Sequence, residues 1–213
     1  MTPYNCEQFE SLRIIRNHLA SLSRKDLASL HRRIDEYLSF RDELEKFLAG
    51  RFGKICTESC FRSRRSACCT REGIIVFFAD VVVNALKSSQ AQLDAIETAL
   101  ETGDGQAQGF KCVFLTENGC LWQVRPIVCA MFLCDPAKDK AFDEDPEAAR
   151  QWEAFESRRK EFTWPDKPVL FDDLEALYIE AGYRSPLMHL HSSPGLLMVK
   201  KKGLKSRQRA FKP

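Results

Sequence analysis

Histidine is scarce in this 213-residue chain: there are four copies, and none lies among its clustered cysteines. A mixed Cys/His zinc site therefore has no sequence basis in those segments, and an all-sulfur donor set is favoured. Long apolar runs are also lacking. The longest, Ile74 to Leu86, contains Asp80 and Asn84 and falls short of the roughly 20 residues that span a bilayer. The opening Met1-Thr2-Pro3-Tyr4-Asn5-Cys6-Glu7 has no basic flank leading into an apolar core, so neither a secretory signal nor an anchor is expected. The expected compartment is the cytoplasm, with no membrane partner. G-x-G-x-x-G, G-x-x-x-x-G-K-S/T and G-x-S-x-G are all absent, which removes sequence support for a nucleotide cofactor or serine-hydrolase chemistry.

The composition that is present belongs to a globular protein. Hydrophobic residues make up 44% and charged residues 29%, far from the polar balance of disordered chains. The length suits one domain with a real core, or a domain with an appendage. The formal charge of +2 hides an asymmetry: Lys200, Lys201, Lys202, Lys205, Arg207, Arg209 and Lys212 all follow Val199 without an acid among them, which leaves the rest at −5. Residues 199–213 are expected to form a solvated, disordered basic tail. Nucleic acid is a partner it would allow but does not favour; the protein or small-molecule partner of the body is unknown.

Hydrophobic spacing predicts a mainly α fold. Phe9, Leu12, Ile15, Leu19 and Leu22 share one helical face. Ser23 and Asp26 form a capping-box signal for a second helix, which carries Leu27, Leu30, Ile34, Leu38, Leu44 and Phe47 and is expected to stop at Gly50. Residues 1–50 are thus expected to form a helical hairpin packed on a main domain of residues 51–198. Arg51 to Arg71 reads as a loop, Ile74 to Leu86 as a helix with some strand character, and Leu93, Ile96 and Leu100 as a short helix ended by Gly103 and Gly105. Cys112 to Cys134 reads as irregular, broken by Gly119 and Pro126. Asp145-Pro146-Glu147 announces a helix carrying Trp152, Phe155 and Phe162 and ended by Pro165 and Pro168; a last helix covers about Asp172 to Ala181, closed by Gly182.

Eight of the nine cysteines fall in the two segments read as irregular: Cys56, Cys60, Cys68 and Cys69 in the first, Cys112, Cys120, Cys129 and Cys134 in the second. In a reducing compartment such clustering points to metal rather than disulfides, and an odd total fits a disulfide framework poorly. Thiolates suit zinc, copper(I) and iron–sulfur clusters. The expected cofactor is an iron–sulfur cluster, a 4Fe–4S cluster being one form, or zinc. The adjacent side chains of Cys68 and Cys69 diverge, and eight thiolates exceed the four positions of one zinc, which leaves one site with spare cysteines, two sites, or a cluster. Cys6 stands alone and reads as an ordinary buried cysteine.

The second segment resembles the YkgJ-type cysteine-cluster family, described as a zinc- or iron-chelating domain. Its R-P-x-x-C-x-x-F-x-C core is matched by Arg125-Pro126-Ile127-Val128-Cys129-Ala130-Met131-Phe132-Leu133-Cys134, preceded by Cys112 and Gly119-Cys120. The family's compact C-x-x-C-x-x-C-C is stretched here, three residues separating Cys56 from Cys60 and seven separating Cys60 from Cys68. The resemblance covers about Lys54 to Pro136 and implies metal binding with a redox, metal-handling or structural role. It places Cys112, Cys120, Cys129 and Cys134, with one or both of Cys68 and Cys69, at the heart of the ligand set. A flagellin lysine methylase shares this type of cluster, so a metal-dependent enzyme, a protein methyltransferase, is the alternative it implies; a zinc-stapled interaction module is a third. Arg125 reads equally as a cofactor-binding, outer-shell partner of the sulfurs and as a surface arginine before a turn. His189 and His191 lack a complete ligand set and read as structural. Asp80 and Asn84, one turn apart, read as a polar stripe rather than as groups aimed at the cysteines.

Overall fold

The computed structural model describes residues 2–63, 69, 75–103, 112–163 and 169–188. Cys68, the arginines at 64, 65 and 71, Gly105, Pro165, Pro168, His189, His191 and the basic tail lie outside the described residues. Within them the chain is mainly α. Helices α1 (Pro3–Ser21) and α2 (Arg24–Cys56) are followed by a π-helical turn (Thr57–Phe61), then α3 (Phe78–Lys87) and α4 (Gln90–Thr102). A two-stranded hairpin, β1 (Leu115–Thr116) and β2 (Gly119–Cys120), leads into α5 (Ile127–Ala130), α6 (Asp135–Glu144), α7 (Pro146–Thr163) and α8 (Leu170–Glu180).

Local chemistry accounts for most of the helix starts. Thr2 Oγ1 accepts from Asn5 N at 3.2 Å with Pro3 in the first turn, and Ser23 Oγ accepts from Asp26 N at 3.2 Å. Asp145 Oδ1 accepts from both Glu147 N and Ala148 N, capping α7 where Asp-Pro-Glu predicts it. The α4 helix closes on Gly103 in the left-handed region, φ +68°.

Two expectations need correction. Gly50 does not end α2, which runs on to Cys56, and the segment read as a loop begins with helix: Cys56 is the last residue of α2 and Cys60 sits in the π-helical turn. Glycine inside a helix costs only about 1 kcal/mol, whereas burying a Phe side chain gains about 1.5–3 kcal/mol. Phe52, buried on the same face as Leu48, outweighs the glycine. Helix α6 is the second correction, since nothing in Cys134 to Asp145 was read as helical; its signals are Pro136 and Asp135 in the first turn.

Packing places α3 at the centre. Phe78 to Ala85 are all buried, which is why this helix is apolar nearly all round. It lies against α1 and α8; α1 also packs on α4, while α2 packs on α6 and α7. The two N-terminal helices are joined by Leu22 and Ser23, but each finds its main partners elsewhere in one continuous core that runs from Leu12 to Met188. Tyr37 and Phe40 of α2 meet Phe162 of α7, with ring centroids 5.3 Å apart in both pairs, and Tyr37 meets Phe171 of α8 at 5.5 Å.

On the far side of the core, His18 of α1 packs edge-on against Tyr178 at 4.5 Å and Tyr183 at 4.9 Å. Burial holds its imidazole below the ordinary value, and its Nε2 has no partner among the described residues. A histidine with a lowered folded-state value contributes stability that is whole above its unfolded value of about 6.5 and lost as pH falls below it. The midpoint of urea unfolding should therefore drop on acidification more in the parent chain than in His18→Phe, which keeps an aromatic ring and cannot titrate. Equal drops in the two proteins would refute the assignment.

Candidate metal centre

The second cysteine segment is folded by its own hairpin and then fastened to two helices. Thr116 pairs with Gly119 and Leu115 with Cys120, so the chain reverses over Glu117 and Asn118, with Gly119 at φ +107°. Leu121 N donates to Phe114 O at 2.8 Å and continues the reversal, which returns Cys120 toward Cys112. Asn118-Gly119 is the turn signal for this hairpin in the sequence.

Residues 124–127 are held from both α2 and α3. Val124 N donates to Asn84 Oδ1 at 3.1 Å, and Ile127 N to Asp80 Oδ1 at 3.0 Å. Arg41 Nη1 donates to Arg125 O at 2.7 Å and to the Tyr37 hydroxyl at 3.1 Å. The Arg125 guanidinium in turn donates from Nη2 to Glu45 Oε2 at 2.6 Å, and Arg41 Nη2 reaches Glu45 Oε1 at 3.3 Å. Pro126 has no N–H to satisfy, and its carbonyl starts α5 by accepting from Ala130 N. The polar backbone groups around Arg125-Pro126 thus find partners in the protein, as buried backbone must.

This arrangement corrects the reading of Asp80 and Asn84 as a polar stripe. They are 3% and 0% exposed, and they point at the cysteine segment. Asp80 Oδ2 also accepts from Phe77 N at 3.0 Å, tying the start of α3 to the same carboxylate. Burial raises the Asp80 carboxyl to about 6, its two backbone donors and Arg41 pulling the other way. Arg41 and Glu45 were missed. A signal existed: Ile34, Tyr37, Arg41, Leu44 and Leu48 follow the buried spacing of α2, so a charged residue occupies an apolar-stripe position and is 3% exposed.

The thiols gather around this fastened segment. Cys112 and Cys129 are raised to about 12 and Cys120 to about 11, burial being the main cause in each. Cys120 has residue surface open to solvent, yet protein surrounds its sulfur closely enough to disfavour the thiolate. Each of the three sulfurs also accepts a backbone N–H, from Phe114 for Cys112, Trp122 for Cys120 and Ile75 for Cys129. Ile75 is positioned by its neighbour, since Val76 N donates to the Tyr4 hydroxyl of α1 at 2.9 Å. Cys69 belongs with them electrostatically: it interacts with Cys112, Cys120 and Cys129. Burial raises its own thiol, and Arg125 opposes the rise.

Cys60 interacts with Cys69 as well as with Cys56. Cys134 is the N-cap residue of α6, and Cys56 interacts with Cys134 and Cys60. Arg125 faces Cys56 as well as Cys69 and Cys120. Cys6 lies on α1, outside both segments. Among the described residues, no group of three or more Cys, His, Asp or Glu side chains is placed to hold a metal ion. The donor chemistry nevertheless fits a soft cation: several thiols near one another, sulfurs already receiving N–H bonds, and one arginine able to offset thiolate charge. Two surface cavities of about 380 and 390 Å³ lie elsewhere, the first between α2 and α7, and no cysteine lines either.

The fold and site therefore describe a mainly helical protein with a thiol-rich segment fastened to its central helices. No helix among the described residues is long and apolar enough to cross a membrane. No family model matches the chain, and neither does any curated protein or solved structure.

Proposed function

We propose that this protein binds metal through Cys69, Cys112, Cys120 and Cys129, as zinc or an iron–sulfur cluster. The observation that carries the reading is the set of N–H bonds to the sulfurs of Cys112, Cys120 and Cys129, together with the mutual electrostatic interaction of all four thiols. Such outer bonds orient thiolate ligands and, in clusters, tune their potential. The resemblance of Cys112 to Cys134 to the cysteine-cluster family supports the same conclusion. When bound, the metal supplies either a rigid tetrahedral staple or a one-electron centre. The chain's own residues supply the rest: Asp80, Asn84 and Arg41 hold the segment, and Arg125 places positive charge beside the sulfurs.

The test is purification of the full chain without oxygen, followed by metal analysis and visible absorption. Broad visible absorption with iron and sulfide identifies a cluster; a colourless protein with zinc identifies the staple. A chain that arrives metal-free, takes up no added zinc, and cannot be reconstituted with iron and sulfide would overturn the proposal.

A further inference from the structure

The cavity of about 380 Å³ between α2 and α7 is built by one stripe from each helix. Glu43, Phe47 and Gly50 follow at helical spacing on α2, as do Gln151, Ala154 and Arg158 on α7. The half-buried rings of Phe47 and Phe155, with centroids 5.3 Å apart, give it an apolar lining, and the buried Trp152 stacks on Phe47 at 6.2 Å. Gly50 leaves space there at a cost, since glycine inside a helix is destabilising. Close packing does not demand it: a Cβ at Gly50 would meet nothing within 4 Å. Ion pairs bridge the two helices at either end. Arg158 Nη1 and Nη2 donate to Glu43 Oε2 and Oε1 at 2.5 and 3.3 Å, and Arg51 Nη1 donates to Asp145 Oδ2 at 2.5 Å. At the helical rise per residue, Glu43 and Arg51 stand about 12 Å apart along α2. The space is thus a short compartment, not a groove through which an extended peptide could run.

We infer that this compartment is a binding site for a small aromatic carboxylate, its ring lying on Phe47 and Phe155 beside Gly50 and its carboxylate facing Lys46 and Arg51. The volume lies at the lower end of the range of small-ligand pockets, and apolar walls with a few polar groups at the mouth are their usual construction. The charge of the lining selects the sign of the ligand. Lys46, Arg51 and Arg158 line the cavity against one acid, Glu43, which Arg158 already holds through two bonds. Asp42 and Asp145, the partners of Lys46 and Arg51, are not among the lining residues. Both of those pairs are solvent-exposed, and exposed pairs contribute little, so either cation can turn to a ligand carboxylate at small cost. Arginine pairs with carboxylate through two parallel bonds, which fixes the orientation of a planar acid. The Arg158 guanidinium is engaged differently: it lies over the Phe40 ring at 5.3 Å and the Phe155 ring at 6.0 Å, closing its end of the compartment.

The site is independent of the thiols, and its test needs no metal. The full chain is titrated with naphthoate and, separately, with the uncharged naphthamide, and followed by amide NMR. Naphthoate should shift the amides of Gly50, Arg51 and Ala154 along one saturable curve and should bind at least tenfold more tightly than naphthamide. Gly50→Leu places a side chain in the compartment and should weaken naphthoate binding at least tenfold. Its amide spectrum away from α2 and α7 should match that of the parent, since the space it enters is open. Arg51→Gln, an exposed substitution, should remove most of the preference for naphthoate over naphthamide while the ring still binds. No saturable shift at Gly50 and Ala154 with millimolar naphthoate overturns the site, as does undiminished binding in a folded Gly50→Leu chain. Equal affinity for naphthoate and naphthamide in the parent, or an unchanged preference in Arg51→Gln, overturns the assignment of the carboxylate to Lys46 and Arg51.

Discussion

Asp80→Ala is expected to lose up to about 6 kcal/mol of stability, because it strands the buried N–H of Ile127 and the half-buried N–H of Phe77, an unpaired buried group costing roughly 1–3 kcal/mol. Against a net domain stability of roughly 5–15 kcal/mol, that brings the chain close to unfolding at ordinary temperature. Asp80→Asn should be far milder. Its amide oxygen still accepts one bond, and it removes a charge whose burial outweighs the donors around it, as the upward shift of the carboxyl shows. The sign of the pH effect follows. A carboxyl raised from 3.8 to about 6 holds its proton more tightly in the folded chain, so its contribution is whole below the lower value and lost as pH rises through the upper one. Urea unfolding between those limits should show this decline in the parent and not in Asp80→Asn. An Asp80→Ala chain as stable as the parent would show that neither bond matters.

The second large effect concerns the thiols. Cys112→Ser, Cys120→Ser and Cys129→Ser should each lower metal affinity by more than the roughly 10–100-fold that loss of an outer-shell partner costs. Each should also lower the melting temperature, because metal binding contributes directly to folding free energy. Cys6→Ser is the control and should change neither. Full metal content in Cys129→Ser would refute the assignment of the centre, and loss of metal in Cys6→Ser would bring α1 into it.

What the sequence made legible was whatever is decided locally. Ser23 and Asp26, or Asp145-Pro146-Glu147, satisfy a helix end from within four residues, and the structure has those ends where the pattern predicts them. The α3 segment was ambiguous for a physical reason: a helix surrounded on all sides loses the polar face that distinguishes it from a buried strand. The overrun of α2 past Gly50 was hidden because Phe52 and Phe142 meet across elements, with centroids 5.6 Å apart. At the site, the cysteines and Arg125 were visible as residue types. Their supports were not, since Arg41 and Glu45 lie 84 and 80 positions from the residue they hold. Only the charge interrupting the apolar stripe of α2 hinted at them.

Those separations also bear on the order in which the protein assembles. The bonds to residues 124–127 span 40 positions from Asn84, 47 from Asp80, and 80 and 84 from Glu45 and Arg41. Closing a loop costs about 0.6 kcal/mol more for each doubling of its length, so the longest of these has almost no entropic handicap over the shortest. None can form early on its own, because each needs α2 or α3 already standing. Contacts this distant in sequence slow folding, and the four bonds should close together in one late step. On the ribosome, Cys56 and Cys60 emerge long before Val124 does, so the nascent chain carries these two thiols through synthesis without the scaffold that later surrounds them.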